Sequence, residues 1–155
     1  MSLCLNINGE ERDFYGDPRT SLLDVLRDTY RMTGAKSVCC AGFCGACMVE
    51  IDGEAVPACL RPVGLLEGAA ITTIEGAAPL DTPSALQAAF ASHDVVQCGM
   101  CFPGMVMSLT AFLRDNPTPS RAEVKTAMVG NLCRCTGYEL IIDAVMSLPN
   151  AEGAK

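Results

Sequence analysis

Four cysteines stand in the order Cys39-x4-Cys44-x2-Cys47-x11-Cys59. Thiolates spaced in this way wrap a loop around a [2Fe–2S] cluster. Four more follow as Cys98-x2-Cys101 and Cys133-Arg134-Cys135, enough for a second cluster. Two such sites in one short chain imply that electrons move through it one at a time.

The first site lies within Gly34 to Cys47. An oxidised four-thiolate [2Fe–2S] cluster is an anion, and reduction makes it more negative. A tight loop lets successive backbone N–H groups point inward at the sulfurs, as in an anion-binding nest. Gly42 and Gly45 suit the positive φ and close approach that such a loop requires. Cys59, beyond the next hairpin, closes the set and pins loop to sheet. Structural zinc is the competing reading, although x4-x2-x11 is not the usual paired C-x2-C spacing of zinc sites.

At the second site Cys98 and Cys101 precede a helix opened by Pro103, and Cys133 and Cys135 precede a helix near Gly137. Four thiolates would then gather where two helix N-termini converge, and free N–H groups there favour an anion. Taken alone, C-x2-C with C-x-C also fits zinc. Beside the first site, an electron relay is the economical reading.

Of the ten cysteines, Cys4 and Cys40 fall outside both patterns. Cys4 reads as a half-buried inert thiol on a strand, and Cys40 as an unligated neighbour of Cys39. Ten cysteines could also make a disulfide framework. The amino terminus, however, has no basic n-region, apolar h-region or twin arginine, so the expectation is a cytoplasmic protein with its thiols reduced. A single histidine, His93, rules out a Rieske centre and a Cys2His2 finger, and it reads as a helix-end residue. Met100, Met105 and Met107 read as core filler.

A net charge of −7 with no basic cluster excludes nucleic acid as a partner. The uncharged run Val95–Leu113 contains Gln97, Gly99, Pro103 and Gly104, leaving too few helix-compatible residues to cross a bilayer, so no membrane insertion is expected.

Two units must position these cysteines. Residues 1–76 read as strands around one helix. Leu3, Leu5 and Ile7 alternate before an Asn8-Gly9 hairpin turn. Ser21-x-x-Asp24 resembles a capping box before Leu22, Leu23, Leu26 and Tyr30. Met48–Ile51 and Ala55–Val56 flank Asp52-Gly53, and a last strand spans Ile71 to Ile74. Residues 77–83, rich in Ala and Pro, read as a linker. Over residues 84–155 the hydrophobic period becomes 3.6 and predicts four helices. The first carries Leu86, Ala89 and Phe90, and the second runs from Pro103 to Arg114. Ser120-x-x-Glu123 caps the third, with Val124 and Met128 inside. The fourth carries Tyr138, Ile141, Ile142, Val145 and Leu148. The fold class is therefore α+β.

Three segments, Cys39-x4-Cys44-Gly45-Ala46-Cys47, Gln97-Cys98-Gly99-x-Cys101-x-Pro103-Gly104-Met105 and Gly130-Asn131-Leu132-Cys133-Arg134-Cys135-Thr136-Gly137-Tyr138, give the chain a family likeness. It resembles the small iron–sulfur subunit of the molybdenum hydroxylases, the xanthine dehydrogenase/aldehyde oxidoreductase family, from about Leu3 to Leu148. The resemblance implies a β-grasp ferredoxin domain followed by a four-helix bundle holding the second cluster. It implies as partners a large subunit carrying molybdopterin, with or without a cytosine dinucleotide, and a medium subunit carrying FAD. Substrate would be hydroxylated in the large subunit with oxygen from water, and electrons would leave singly through the helical-domain cluster, then the ferredoxin-type cluster. Gln97 and Cys135 would lie against the pterin. A free-standing two-cluster ferredoxin and a structural zinc protein are the readings without the resemblance.

Overall fold

The first half is ordered by two left-handed turns. Asn8 (φ 55°) with Gly9 (φ 80°), and Asp52 (φ 53°) with Gly53 (φ 87°), take the paired positive φ of type I′ hairpins. In the computed structural model, which describes residues 2–79 and 81–149, these turns join β1 (Leu3–Ile7) to β2 (Glu10–Phe14) and β3 (Met48–Ile51) to β4 (Glu54–Pro57). A short β5 (Ala70–Thr72) lies between the hairpins. The sheet order is β2-β1-β5-β3-β4, with β1 and β5 parallel and every other pair antiparallel. This is the β-grasp arrangement.

One apolar layer under the sheet is supplied by α1 (Leu22–Asp24) and its continuation. Leu22, Leu23, Val25 and Leu26 are buried with Leu5, Ile7, Val49 and Ile71. The helix is shorter than the sequence predicts. After one turn it widens into a π-helix over Val25–Thr29, and Tyr30 sits at its end, half-buried. The capping box is incomplete as well. Ser21 Oγ accepts the Asp24 N–H, but the Asp24 carboxylate accepts from the Ser21 hydroxyl instead of its backbone N–H. The last strand also ends early, since Ile74–Gly76 forms a 3₁₀ turn where a strand was expected through Ile74.

The helical half has its own core. Leu86 and Phe90 on α2 (Ala85–Ser92), Met105 and Leu109 on α3 (Phe102–Asp115), Val124 on α4 (Arg121–Ala127), and Ile141 and Val145 on α5 (Glu139–Met146) pack together. Reciprocal capping boxes open α2 (Ser84 with Gln87) and α4 (Ser120 with Glu123). Met128 is buried just past α4, and Leu148 packs half-buried beyond α5. Helix α3 starts one residue before Pro103, with Cys101 as its N-cap. Met105 and Met107 are buried, but Met100 is exposed on the turn before α3 and fills no core. Leu80, in the 77–83 segment, and residues 150–155 lie outside the described residues.

The two cores meet where α3 runs along β3. Gly104 permits this approach, because a Cβ there would collide with the Gly45 carbonyl oxygen. No helix among the described residues is long and apolar enough to cross a membrane.

Candidate metal centres

The loop between α1 and β3 is irregular because its backbone turns around sulfur. Cys40 (φ 51°), Gly42 (φ 77°) and Gly45 (φ 68°) are left-handed, and these turns point N–H groups inward. The Ala41 N–H donates to Cys39 Sγ at 3.4 Å. That bond, followed by bonding to Cys44, holds the Cys39 thiol down at about 6. Burial dominates at Cys47 and pushes its thiol up to about 11. Such a thiol becomes a thiolate readily only when a metal takes the proton's place.

Cys44 lies close enough to Cys39, and Cys59 to Cys47, to shift those two thiols, and Cys44 acts on Cys47 as well. The fold therefore brings together all four cysteines of the first pattern. Cys40 is exposed and turned aside, its Sγ 3.2 Å from Ser37 Oγ.

The second pattern is gathered by two turns. Cys98 and Cys101 belong to the turn that opens α3, where Gly99 has φ 80°. Cys133 and Cys135 lie on the turn that leads through Gly137 (φ 64°) and Tyr138 (φ 71°) into α5. Cys135 lies close enough to Cys98, and Cys133 to Cys101, to shift those thiols, and Cys133 acts on Cys98 as well. Burial raises Cys101 to about 12, whereas the Met100 N–H lowers Cys98. Burial acts upward on Cys133 too. Its bonds from the Thr136 side chain and from the Thr136 and Cys135 backbone outweigh that and leave it lowered.

In both sets the thiols stand as two pairs. Among the described residues no three ligating side chains close on a single metal ion. Tetrahedral zinc needs four donors around one point. A [2Fe–2S] cluster needs two per iron, so the pairs fit the binuclear group.

Gln97, Cys98 and Cys135 are exposed and border one shallow hollow, with Val96, Cys133 and Thr136 in its wall. Arg134 projects to solvent, and His93 ends α2 with its ring Nδ1 3.0 Å from the Ala89 carbonyl oxygen. Cys4 is half-buried on β1. Sequence reasoning missed the residues that join the two loops. The Leu132 N–H donates to the Cys44 carbonyl at 2.9 Å, and the buried Asn131 amide donates to the Gly45 carbonyl at 3.3 Å. A polar Asn beside a ligand turn was the only available signal for this seam.

Fold and thiol geometry define a protein of two [2Fe–2S]-binding domains. Residues 5–71 match the 2Fe-2S iron-sulfur cluster binding domain, and residues 73–146 match the [2Fe-2S] binding domain. The nicotinate dehydrogenase small FeS subunit of Eubacterium barkeri is 43% identical over 145 residues, covering 94% of this chain and 92% of that one. Aldehyde oxidase 2 of Cavia porcellus is 43% identical over an alignment of 156 positions that covers 92% of this chain but only 12% of that much longer one. The crystal structure of quinoline 2-oxidoreductase from Pseudomonas putida 86 superposes with a TM-score of 0.91 at 45% identity, covering 95% of this chain and 91% of that chain. The chain belongs to the small [2Fe–2S] subunits of the molybdenum hydroxylase family, the electron-transfer components of these oxidoreductases.

Proposed function

We propose that this chain carries electrons from a molybdopterin-bearing large subunit to an FAD-bearing medium subunit or another acceptor, while the large subunit hydroxylates substrate with oxygen from water. The reading places the first cluster on Cys39, Cys44, Cys47 and Cys59, in residues 1–76. It places the second on Cys98, Cys101, Cys133 and Cys135, in residues 84–155, with 77–83 as linker. When bound, each [2Fe–2S] cluster supplies one one-electron step. Nothing on this chain performs bond chemistry on substrate.

One observation carries the reading. The two thiol sets sit on loops that touch directly, through Leu132 N–H and the Cys44 carbonyl, while Gln97 and Cys135 stand exposed at the outer edge of the second set. Electrons enter at the Gln97 and Cys135 face, where the Gln97 amide offers both a donor and an acceptor to orient a pterin ring. They leave from the loop that carries Cys39. Val96, in the wall of the same hollow, is an exposed apolar side chain, and Met100 and Leu132 are exposed beside ligand cysteines, as expected of a surface that a large subunit covers. A reducing, cytoplasmic setting would keep these thiols available to iron.

The test is purification of the complex with metal and sulfide counting. Two irons and two labile sulfides per cluster, without zinc, are expected, together with a co-purifying molybdopterin subunit. Cys44→Ser should erase the ferredoxin-type signal alone, and Cys40→Ser should spare both clusters. A stable lone chain that keeps both clusters and captures no large subunit would favour a free ferredoxin instead.

A further inference from the structure

The turn that closes the second site contains a ring of hydrogen bonds beyond what holding a metal requires. Thr136 Oγ1 stands 3.2 Å from Cys133 Sγ and accepts the Tyr138 N–H at 3.2 Å. The Tyr138 phenol oxygen accepts the Cys133 N–H at 3.0 Å. Tyr138 makes both bonds from a left-handed backbone (φ 71°), which disfavours a residue with a Cβ and persists only where the surroundings fix it.

The polarity of the Thr136 bond follows from counting protons. A ligating Cys133 is a thiolate and has none to give. The Thr136 oxygen already accepts from Tyr138, so its single hydroxyl proton is free to point at sulfur. Cys133 is buried, and water would not readily replace that donor. Among the described residues no side-chain hydroxyl makes the same bond to Cys39, Cys44, Cys47 or Cys59; the nearest analogue, Ser37, reaches the unligated Cys40.

We propose that Thr136 sets the reduction potential of the helical-domain cluster by donating its hydroxyl to the Cys133 sulfur. The inference rests on the reading that Cys133 is a cluster ligand. Reduction adds one electron and no proton. The added negative charge strengthens an O–H···S bond, so the reduced state gains more from the donor than the oxidised state does. The donor therefore raises the potential at this site and leaves the other unchanged. Tyr138 acts as the positioning residue, holding the Thr136 oxygen through its N–H and the Cys133 backbone through its phenol.

The experiment is a dithionite titration followed by electron paramagnetic resonance, using the full chain in its complex as wild type, Thr136→Val, Thr136→Ala and Thr136→Ser. Two [2Fe–2S] signals in wild type, one of them lost in Cys133→Ser, establish the ligand assignment independently. Their absence would sink that assignment rather than the role of Thr136. Both hydroxyl-free variants should lower the midpoint of the helical-domain cluster by about 59 mV or more, a tenfold change in a one-electron equilibrium. The ferredoxin-type cluster should not move, and Thr136→Ser should match wild type. The proposal is overturned by unshifted hydroxyl-free variants, by Ser shifting as Val does, or by both clusters shifting together. It is equally overturned if Val and Ala lose the cluster while Ser keeps it, because the hydroxyl would then serve assembly instead of potential.

Discussion

Arg114 grips Glu50 through both carboxylate oxygens, each 2.8 Å from Nη2, and its Nη1 donates to the Gly53 carbonyl at 2.9 Å. Glu50 belongs to β3 and is only 7% exposed, whereas Arg114 lies in the last turn of α3. At the opposite end of the same helix, Gly104 rests on the Gly45 and Ala46 backbone. The helix is therefore fastened to the sheet at two points about 15 Å apart along its axis. Cys101 caps that helix and Cys47 immediately precedes that strand. The two fastenings thus hold the distance and angle between the candidate clusters.

Removing the cation strands a buried carboxylate. Arg114→Met should destabilise the chain by about 1–3 kcal/mol, below the ~3–5 kcal/mol of a fully buried pair because water reaches half of the arginine. The double variant Glu50→Met/Arg114→Met should recover most of that loss, since no charge is left unpaired. Urea unfolding of the three proteins measures both. A double variant no better than Arg114→Met would show that the pair's geometry, not its charge balance, holds the seam.

Gly104 is tested by adding one carbon. The Cβ of Gly104→Ala meets backbone, the Gly45 carbonyl, which cannot swing aside as a side chain would. Overpacking of this kind costs about 1–3 kcal/mol. It should also weaken the magnetic interaction between the two reduced clusters, because α3 must lift from β3. Gly130→Ala, with open space around the new carbon, is the control and should stay within about 0.5 kcal/mol of wild type. Equal melting temperatures for the two variants would contradict the close approach.

The local features of this fold were legible in the sequence because local chemistry dictates them. Asn8-Gly9, Asp52-Gly53 and Ser120-x-x-Glu123 each specify one turn or cap, and all three form. Ser84-x-x-Gln87 carries the same signal and also forms its cap. The early ending of α1 was not legible, because its change to π winding after Asp24 leaves Leu22, Leu23, Val25 and Leu26 buried, as an α-helical stripe would also require. The seam between the units was hidden for another reason. Cys44 with Leu132, and Glu50 with Arg114, are far apart in the chain, and no periodicity reports a pairing between units. The cysteine spacings propose which thiols group together, but the hydroxyl beside Cys133 comes only with the turn that Gly137 and Tyr138 make.

The cap of α4 gives a pH dependence with a definite sign. The Ser120 hydroxyl and N–H both donate to Glu123 at 2.7 Å, and these bonds hold the carboxyl below the ordinary glutamate range. A depressed carboxyl contributes stability that is complete above its unfolded value of about 4.3 and is lost as pH falls through the lower folded value. Ser120→Ala should cost about 1 kcal/mol near neutrality. The gap from wild type should narrow as the pH drops below about 4, where wild type loses the hydroxyl–carboxylate bond that the variant lacks at every pH. A gap that stays constant down to acid pH would mean that the Ser120 side chain acts only on the backbone N–H of Glu123.

Gln97 tests the direction of entry. It is exposed, precedes Cys98 and borders the hollow that also holds Cys135, so it can meet a partner's cofactor without touching a sulfur of its own site. Gln97→Ala removes an amide that can both donate and accept, and it removes no thiolate. Cluster content, visible spectra and the rate of reduction by dithionite should therefore match wild type. Substrate-dependent reduction in the assembled complex should slow by about tenfold or more, the effect of losing roughly 1.4 kcal/mol of orientation at the donor. Gln97→Glu separates contact from shape, because it keeps the acceptor and removes the donor, and it should fall between the two. Stopped-flow bleaching with substrate, set against bleaching with dithionite, reads the comparison directly. Unimpaired substrate-dependent reduction in Gln97→Ala would move the entry point off this face and toward the loop that carries Cys39.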